Sequence, residues 1–298
     1  FVLVFKASQV LNFATGGIAM AGAIFMSILI ADRGFPFLPF TNPLAPAAGE
    51  TASVPLWMLH VVIAMLFAAL LAVVLERVAI RPLVGQPLFA LAVVTLGIEV
   101  ALGPFNRDAT AISSRSLGVP WKTNSWEIWG AIIPKSFLAA VIAAILAFAA
   151  VLMFYRSRMG VAMRAVAFDQ EAAMAQGINV GRVFSISWAL GGSIAALGAI
   201  MFGMAPFPPS GAVSQEVHPV LAFRVLPVII LGGLDSVMGA LYGGLIIASF
   251  EIFAGEYLSG YNSILGPGYS TIVPYIVMLV VLLVKPYGLF GTAEIRRV

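Results

Sequence analysis

Six runs of mainly apolar residues, at 9–30, 56–76, 87–105, 131–154, 185–204 and 270–289, dominate the chain. About twenty such residues in a helix cross the hydrocarbon core of a bilayer. A seventh run, LAFRVLPVIILGGLDSVMGALYGGLIIASFEIF at 220–253, is too long for one crossing and is split by Gly232, Gly233 and Asp235. It reads as two shorter helices around a broken centre. In lipid the backbone must satisfy its own hydrogen bonds, and helices do so within each segment. The expected fold is therefore an all-α, polytopic transmembrane helical bundle, one domain over 1–298, with about eight spans and a broken glycine-rich helix pair. A soluble alternative fails on coating: only 10% of the residues are charged, against roughly 25% in ordinary globular domains.

With no cysteine in the chain, disulfides, thiolate metal sites and cysteine nucleophiles are excluded. The net charge of +3 fits membrane orientation by Lys and Arg better than an anionic partner. No basic, aromatic-interleaved stripe supports nucleic-acid binding. Arg77 and Arg81, then Arg156, Arg158, Arg164 and Arg182, then Lys285, Arg296 and Arg297 fall in three connections that alternation of the spans puts on one side. That side is expected to be cytoplasmic, provided the broken run crosses twice. The opposite connections, near 35–50 and 106–129, are longer and rich in Pro, Gly, Ser and Trp. The opening FVLVFKAS reads as the middle of a helix, so a preceding segment is expected.

Catalytic centres are scarce. His60 and His218 lie far apart, without a partner at ligand spacing, and read as interfacial polar residues near outer span ends. LGGLDSVMGALYGG has the glycines of a phosphate loop but no following GKS or GKT, so the chain is not expected to bind ATP. Ionisable residues inside spans are better candidates, because burying one is costly unless it is paired or faces water. These are Glu99, Arg224, Asp235 and Glu251. Arg224 either lines a pathway or snorkels; Glu99 and Glu251 are pathway residues or ion-pair partners. Asp235 sits in the break and either caps the following helix, the favoured role, or marks its cytoplasmic turn. In VLNFATGG, Asn12 and Thr15 interrupt an apolar run just before Gly16 and Gly17, so a helix kinks or begins there. Asn12 either braces a neighbouring helix or faces a substrate path. Gly and Ala at spacings of three or four, in ATGGIAMAGA and GALYGG, permit close helix packing.

The segment 155–184 is far longer than joining two spans requires. Within it Asp169, Gln170 and Glu171 precede an Ala-rich turn, and Gly177 supplies a helix stop, the pattern of a short exposed helix.

VLNFATGGIAMAGA, RAVAFDQEAAMAQGINVGRV and LPVIILGGLDSVMGALYGGLIIASFE, with a weaker match at VLERVAIRPLVGQP and the closing KPYGLFG, carry a resemblance. In this order they resemble the inner-membrane permeases of branched-chain amino acid ABC importers, the LIV-type family. Thr15 stands where the family usually has another polar residue. The resemblance implies half of a transmembrane pore in a bacterial inner membrane. A homologous second permease, two ATPase subunits that hold the ATP and Mg, and a periplasmic binding protein would complete it. It also implies that the 155–184 segment couples to an ATPase through Glu171, Ala172, Ala173 and Gly177, with Arg164 nearby and Asp169 opening the same helix. The pathway candidates are Asn12, Thr15, Gly16, Glu99, Arg224 and Asp235. Relatives carry branched-chain amino acids, urea, short amides or aromatic carboxylates, so the solute stays open. An ion-coupled secondary transporter is the competing class, and an intramembrane enzyme is disfavoured because no reactive groups converge.

Overall fold

The computed structural model describes residues 1–31, 42–46, 52–83, 85–110, 114–121, 124–204, 212–214, 217–258, 260, 266 and 268–292. Much of the long loop at 35–50, Lys122, Arg296 and Arg297 lie outside these. In chain order the helices are α1 (Val2–Ser8), α2 (Thr15–Ala31), α3 (Val54–Leu75), α4 (Leu88–Thr110), α5 (Lys135–Arg156), α6 (Arg158–Phe168), α7 (Gln170–Ala175), α8 (Val180–Met204), α9 (Val217–Gly232), α10 (Val237–Tyr257) and α11 (Tyr269–Val284). Five are long and apolar enough to cross a membrane, in the stretches Val54–Leu83, Phe89–Asp108, Lys135–Arg156, Val180–Met204 and Val237–Tyr257. Shorter apolar helices occupy Thr15–Ala31, Phe223–Gly232 and Tyr269–Val284.

Small residues set the centre of the bundle. A Cβ at Gly22 of α2 would lie 2.5 Å from Ala196 Cβ of α8 and 3.2 Å from Ala68 Cβ of α3. At Gly192 it would lie 2.7 Å from both Ala68 O and Ala72 Cβ. Without side chains there, the α2, α3 and α8 backbones approach closely, and the van der Waals packing this permits holds helices together in lipid. The same device joins α9 to α10, where Gly243 packs on Val228 O.

The three basic connections meet at one end of the bundle. Arg81 reaches Gly181 O at 2.9 Å, and Arg164 shares a cavity wall with Pro286 and Tyr287. The break between α9 and α10 lies at this basic end too: Asp235 lines the same cavity as Arg164, and Lys6 Nζ donates to Asp235 O (3.0 Å). This corrects the length expected of the second helix: α10 has 21 residues, enough to cross unaided, and the chain turns at the bundle end where two crossings of the broken run put it. A second correction concerns Asp235. Ser236 is the N-cap of α10, its hydroxyl accepting from Gly239 N (2.9 Å). Asp235 instead accepts from Thr292 N (3.3 Å) and from the Thr292 hydroxyl. The backbone of the break aims the shorter side chain at the free amide, and the carboxylate fastens the chain beyond α11.

The opposite end carries what an all-α reading omitted: two antiparallel ribbons. Strands β1 (Ser114–Ser116) and β4 (Ala212–Ser214) pair, as do β2 (Ser125–Ile128) and β3 (Ala131–Pro134). Residues 131–134 are thus strand, and α5 begins at Lys135 rather than 131. His60, expected at an interface, is fully buried in α3 and lies 3.0 Å from Leu44 O through Nε2. Trp57 Nε1 likewise donates to Leu117 O (2.9 Å).

One polar network went unforeseen. Beyond α3 the backbone makes a π-turn at Glu76–Ile80, with Arg81 N donating to Glu76 O. That i→i+5 closure stacks residues 76 and 81, and Arg81 forms a two-bond fork to Glu76 at 2.9 Å each. Ser185 of α8 joins both, donating to Glu76 Oε2 (2.8 Å) and accepting from Arg81 Nη2 (2.7 Å). Glu76 is fully buried, whereas the Arg81 side chain is 38% exposed.

Arg81→Ala is expected to lower the unfolding free energy in detergent by about 2–3 kcal/mol, since it strands the Glu76 charge; partial exposure of Arg81 keeps this below the cost for a fully buried pair. Thermal unfolding of the purified variant checks this, and an unchanged transition contradicts it. Ser236→Ala is expected to cost about 1 kcal/mol, and circular dichroism melts that show no loss would contradict the capping assignment.

Candidate functional site

The run expected to form one span at 9–30 is broken. α1 ends at Gln9, whose left-handed φ of 55° turns the chain, and α2 begins only at Thr15. Asn12 Oδ1 accepts from Ala14 N (3.1 Å), and Thr15 Oγ1 donates to Asn12 O (2.7 Å). The two polar residues that looked anomalous in the sequence therefore build their own turn. The rest of the bracing comes from α4. Thr95, Glu99 and Asn106 fall on one helical face, at i, i+4 and i+11. Thr95 Oγ1 accepts from Phe13 N (3.2 Å) and shares its proton between Leu11 O and Ala92 O (2.8 Å each). Glu99 Oε2 accepts from Gly17 N (2.6 Å), and Asn106 Nδ2 donates to Gly17 O (3.1 Å). A carboxylate at the first turn of α2 also complements the helix dipole.

Between this break and helices α8 and α9 lies a cavity of about 320 Å³. Asn12, Thr15 and Gly16 line one side; Phe202 of α8 with Arg224 and Val228 of α9 line another. Arg224 Nη2 lies 3.2 Å from Glu251 Oε1 of α10, and its Cζ is 5.6 Å from the Phe202 ring centroid. Four of the six pathway candidates, Asn12, Thr15, Gly16 and Arg224, thus converge on one space. Glu99 stands beside them holding Gly17, and Asp235 belongs to the basic end.

There a larger cavity of about 970 Å³ opens among α1, α6, the α9–α10 turn and the chain after α11, with Lys6, Arg164, Phe168, Asp235 and Thr292 on its walls. Lys6 Nζ also lies 5.4 Å from the Tyr155 ring centroid, and Arg164 donates to Tyr155 O (2.6 Å). Arg164 and Asp235, singled out for different reasons, face the same space.

The 155–184 segment is a helix pair with every end closed. Ser157 caps α6 by accepting from Gly160 N (3.3 Å). Asp169, in extended backbone, ends α6 and caps α7 by accepting from Ala172 N (2.9 Å). After α7, Gly177 has φ 79°. The bonds Ile178 N to Ala173 O (3.0 Å) and Gly177 N to Met174 O (2.9 Å) complete a Schellman stop. Glu171 and Ala172 face outward with Arg164, Asp169 and Gly177, whereas Ala173 is buried among Leu3, Ala7, Met163, Val166 and Phe184. Two apolar side chains that the sequence reading passed over also stand outward: Phe168, 94% exposed, and Met174, 55% exposed. Their signal was present as apolar residues inside a polar connection. Among the described residues no three His, Asp or Glu side chains converge to hold a metal ion.

Comparison with known proteins agrees with the resemblance. The family described as branched-chain amino acid transport system / permease component matches residues 1–282. The high-affinity branched-chain amino acid transport system permease protein LivH is 28% identical in both Salmonella typhimurium and Escherichia coli K12, over all of this chain and 91% of the relative. The corresponding protein BraD of Pseudomonas aeruginosa is 26% identical over the same shares. No solved structure matches the chain. With a family match over nearly its whole length, the chain belongs to the permease components of branched-chain amino acid transport systems.

Proposed function

We propose that this chain is the transmembrane permease subunit of an ATP-driven importer for branched-chain amino acids or related small polar solutes. In this reading the three shorter apolar helices cross with the five long ones, giving about eight spans. The basic end faces the cytoplasm of a bacterial inner membrane. A second homologous permease completes the pore, two ATPase subunits supply ATP and Mg, and a periplasmic binding protein delivers the solute.

The observation that carries the reading is the capped, outward-facing α6–α7 pair at the basic end of a chain that matches the permease family along nearly its full length. Glu171, Ala172, Phe168 and Met174 offer a mixed apolar and charged surface to a soluble partner, with Asp169 and Gly177 fixing its two ends. Ala173 acts from the inside. It packs with Met163 and Val166 against Leu3 and Ala7 of α1, and α1 leads directly into the break at Gln9–Ala14. Movement of α6–α7 is thereby delivered to the turn that walls the 320 Å³ cavity. Closure of the ATPase dimer would shift the helix pair, and the two states would differ in how the bundle encloses that cavity. Asn12, Thr15, Gly16 and Arg224 border the solute path. Glu99 holds the α2 entrance in register, and Asp235 anchors the basic-end turn.

Replacing Glu171–Gly177 with a Gly/Ser linker is expected to abolish stimulation of ATP hydrolysis by loaded binding protein, while the permease still elutes as a folded species in mild detergent. Stimulation at the level of the unaltered complex contradicts the docking role.

A further inference from the structure

The 320 Å³ cavity has an uneven chemistry. Its walls are largely apolar, with Phe202, Val225, Leu226 and Val228 among them, and among the described residues the charged side chain on them is that of Arg224. Placing a guanidinium in a span is costly unless its donors are used. Those of Arg224 are not all used. One oxygen of Glu251 lies 3.2 Å from Nη2, and Nε is buried without a hydrogen-bond partner. A guanidinium carries five N–H donors in a planar fork matched to two carboxylate oxygens. Glu251, approaching through a single oxygen, leaves the Nε side of that fork open.

We propose that Arg224 is the carboxylate-binding residue of the translocation path, for solutes that join a carboxylate to an apolar tail. The solute carboxylate takes the fork and displaces Glu251, and the tail lies against Phe202 and Val228. Thr15 Oγ1 donates to Asn12 O and so keeps lone pairs that accept from a solute N–H. With the cavity empty, Glu251 keeps the cation paired; when solute arrives, the pairing is exchanged rather than lost. Competition by Glu251 also keeps binding weak enough for release. A phenyl face behind the guanidinium, at 5.6 Å, supports the cation in both states. The inference rests on the importer reading and names the solute chemistry of its path.

The chain contains no cysteine, so R224C introduces a single thiol. In proteoliposomes holding the complete transporter, R224C is expected to cut leucine uptake at least about tenfold, as befits loss of charged hydrogen bonds. Disulfide attachment of an aminoethyl group restores a cation and a substantial part of the uptake; a sulfonatoethyl group does not. Uptake by R224C at the unaltered rate, or an equal effect of the two reagents, overturns the proposal. Glu251→Gln supplies a second test that does not depend on R224C folding. Removing the competing carboxylate is expected to lower KM for leucine several-fold and to slow turnover, and an unchanged KM contradicts the exchange of partners. Failure of the importer reading itself looks different: the unaltered complex then shows neither ATP-driven uptake nor stimulated hydrolysis.

Discussion

The hydrogen-bonding of an interrupted helix inside an apolar bundle is the constraint on which the rest of this structure depends. Between Gln9 and Ala14 the chain leaves helical geometry, and hydrocarbon offers nothing to the freed amides and carbonyls. The structure answers from two sources. Asn12 and Thr15 close the turn locally, and Thr95, Glu99 and Asn106 reach in from one face of α4. Thr95 and Glu99 stand seven and eleven residues into a helix of 23, so α2 opens about 10–16 Å along its neighbour. A helix that starts at that depth leaves room beneath its first turn, and there the 320 Å³ cavity lies.

Around that turn the bundle is held by two different means. In the centre, Gly22, Ala68, Gly192 and Ala196 bring α2, α3 and α8 into backbone contact, which fixes their spacing without any polar group. At the basic end, polar ties take over. The Glu76–Arg81–Ser185 network fastens the end of α3 to the start of α8, directly after the α6–α7 pair. Lys6 ties α1 to the α9–α10 turn. The α6–α7 pair thus lies between two sets of contacts, one with α1, which leads into the break, the other with the tie from α8 to the end of α3.

Much of this was legible in the sequence, for physical reasons that differ by element. The long spans were readable because hydropathy over twenty residues is a strong signal, and the short exposed helix α7 because Asp169 and Gly177 carry start and stop chemistry in their residue types; its partner α6 was not read. Asn12 and Thr15 were conspicuous as polar residues in an apolar run, although the sequence left open whether Asn12 braced a neighbouring helix or faced a substrate path. What stayed hidden depended on tertiary geometry. Glu76 and Arg81 pair because a π-turn stacks residues five apart, a spacing that ordinary helical periodicity does not bring together. Asp235 was assigned a cap that Ser236 makes, since the choice between adjacent oxygens is decided by the backbone angles of the turn. The glycines at 232 and 233 announced a break, and two crossings of that run put it on the basic side, where Asp235 shares a cavity with Arg164; the full 21-residue length of α10 was not read. Strands β2 and β3 pair across a short turn; β3 was absorbed into the apolar run at 131–154 and β2 into the connection before it.

The central claim is that this bundle is the pore half of an importer driven through α6–α7. The most direct test is ATP hydrolysis by the copurified complex in lipid nanodiscs, with the binding protein loaded in turn with leucine, urea and an aromatic carboxylate. The account predicts that ATPase subunits remain with the chain and that leucine-loaded binding protein stimulates hydrolysis above the urea-loaded form. A chain that purifies without ATPase subunits, with no stimulation by any loaded form, would contradict it.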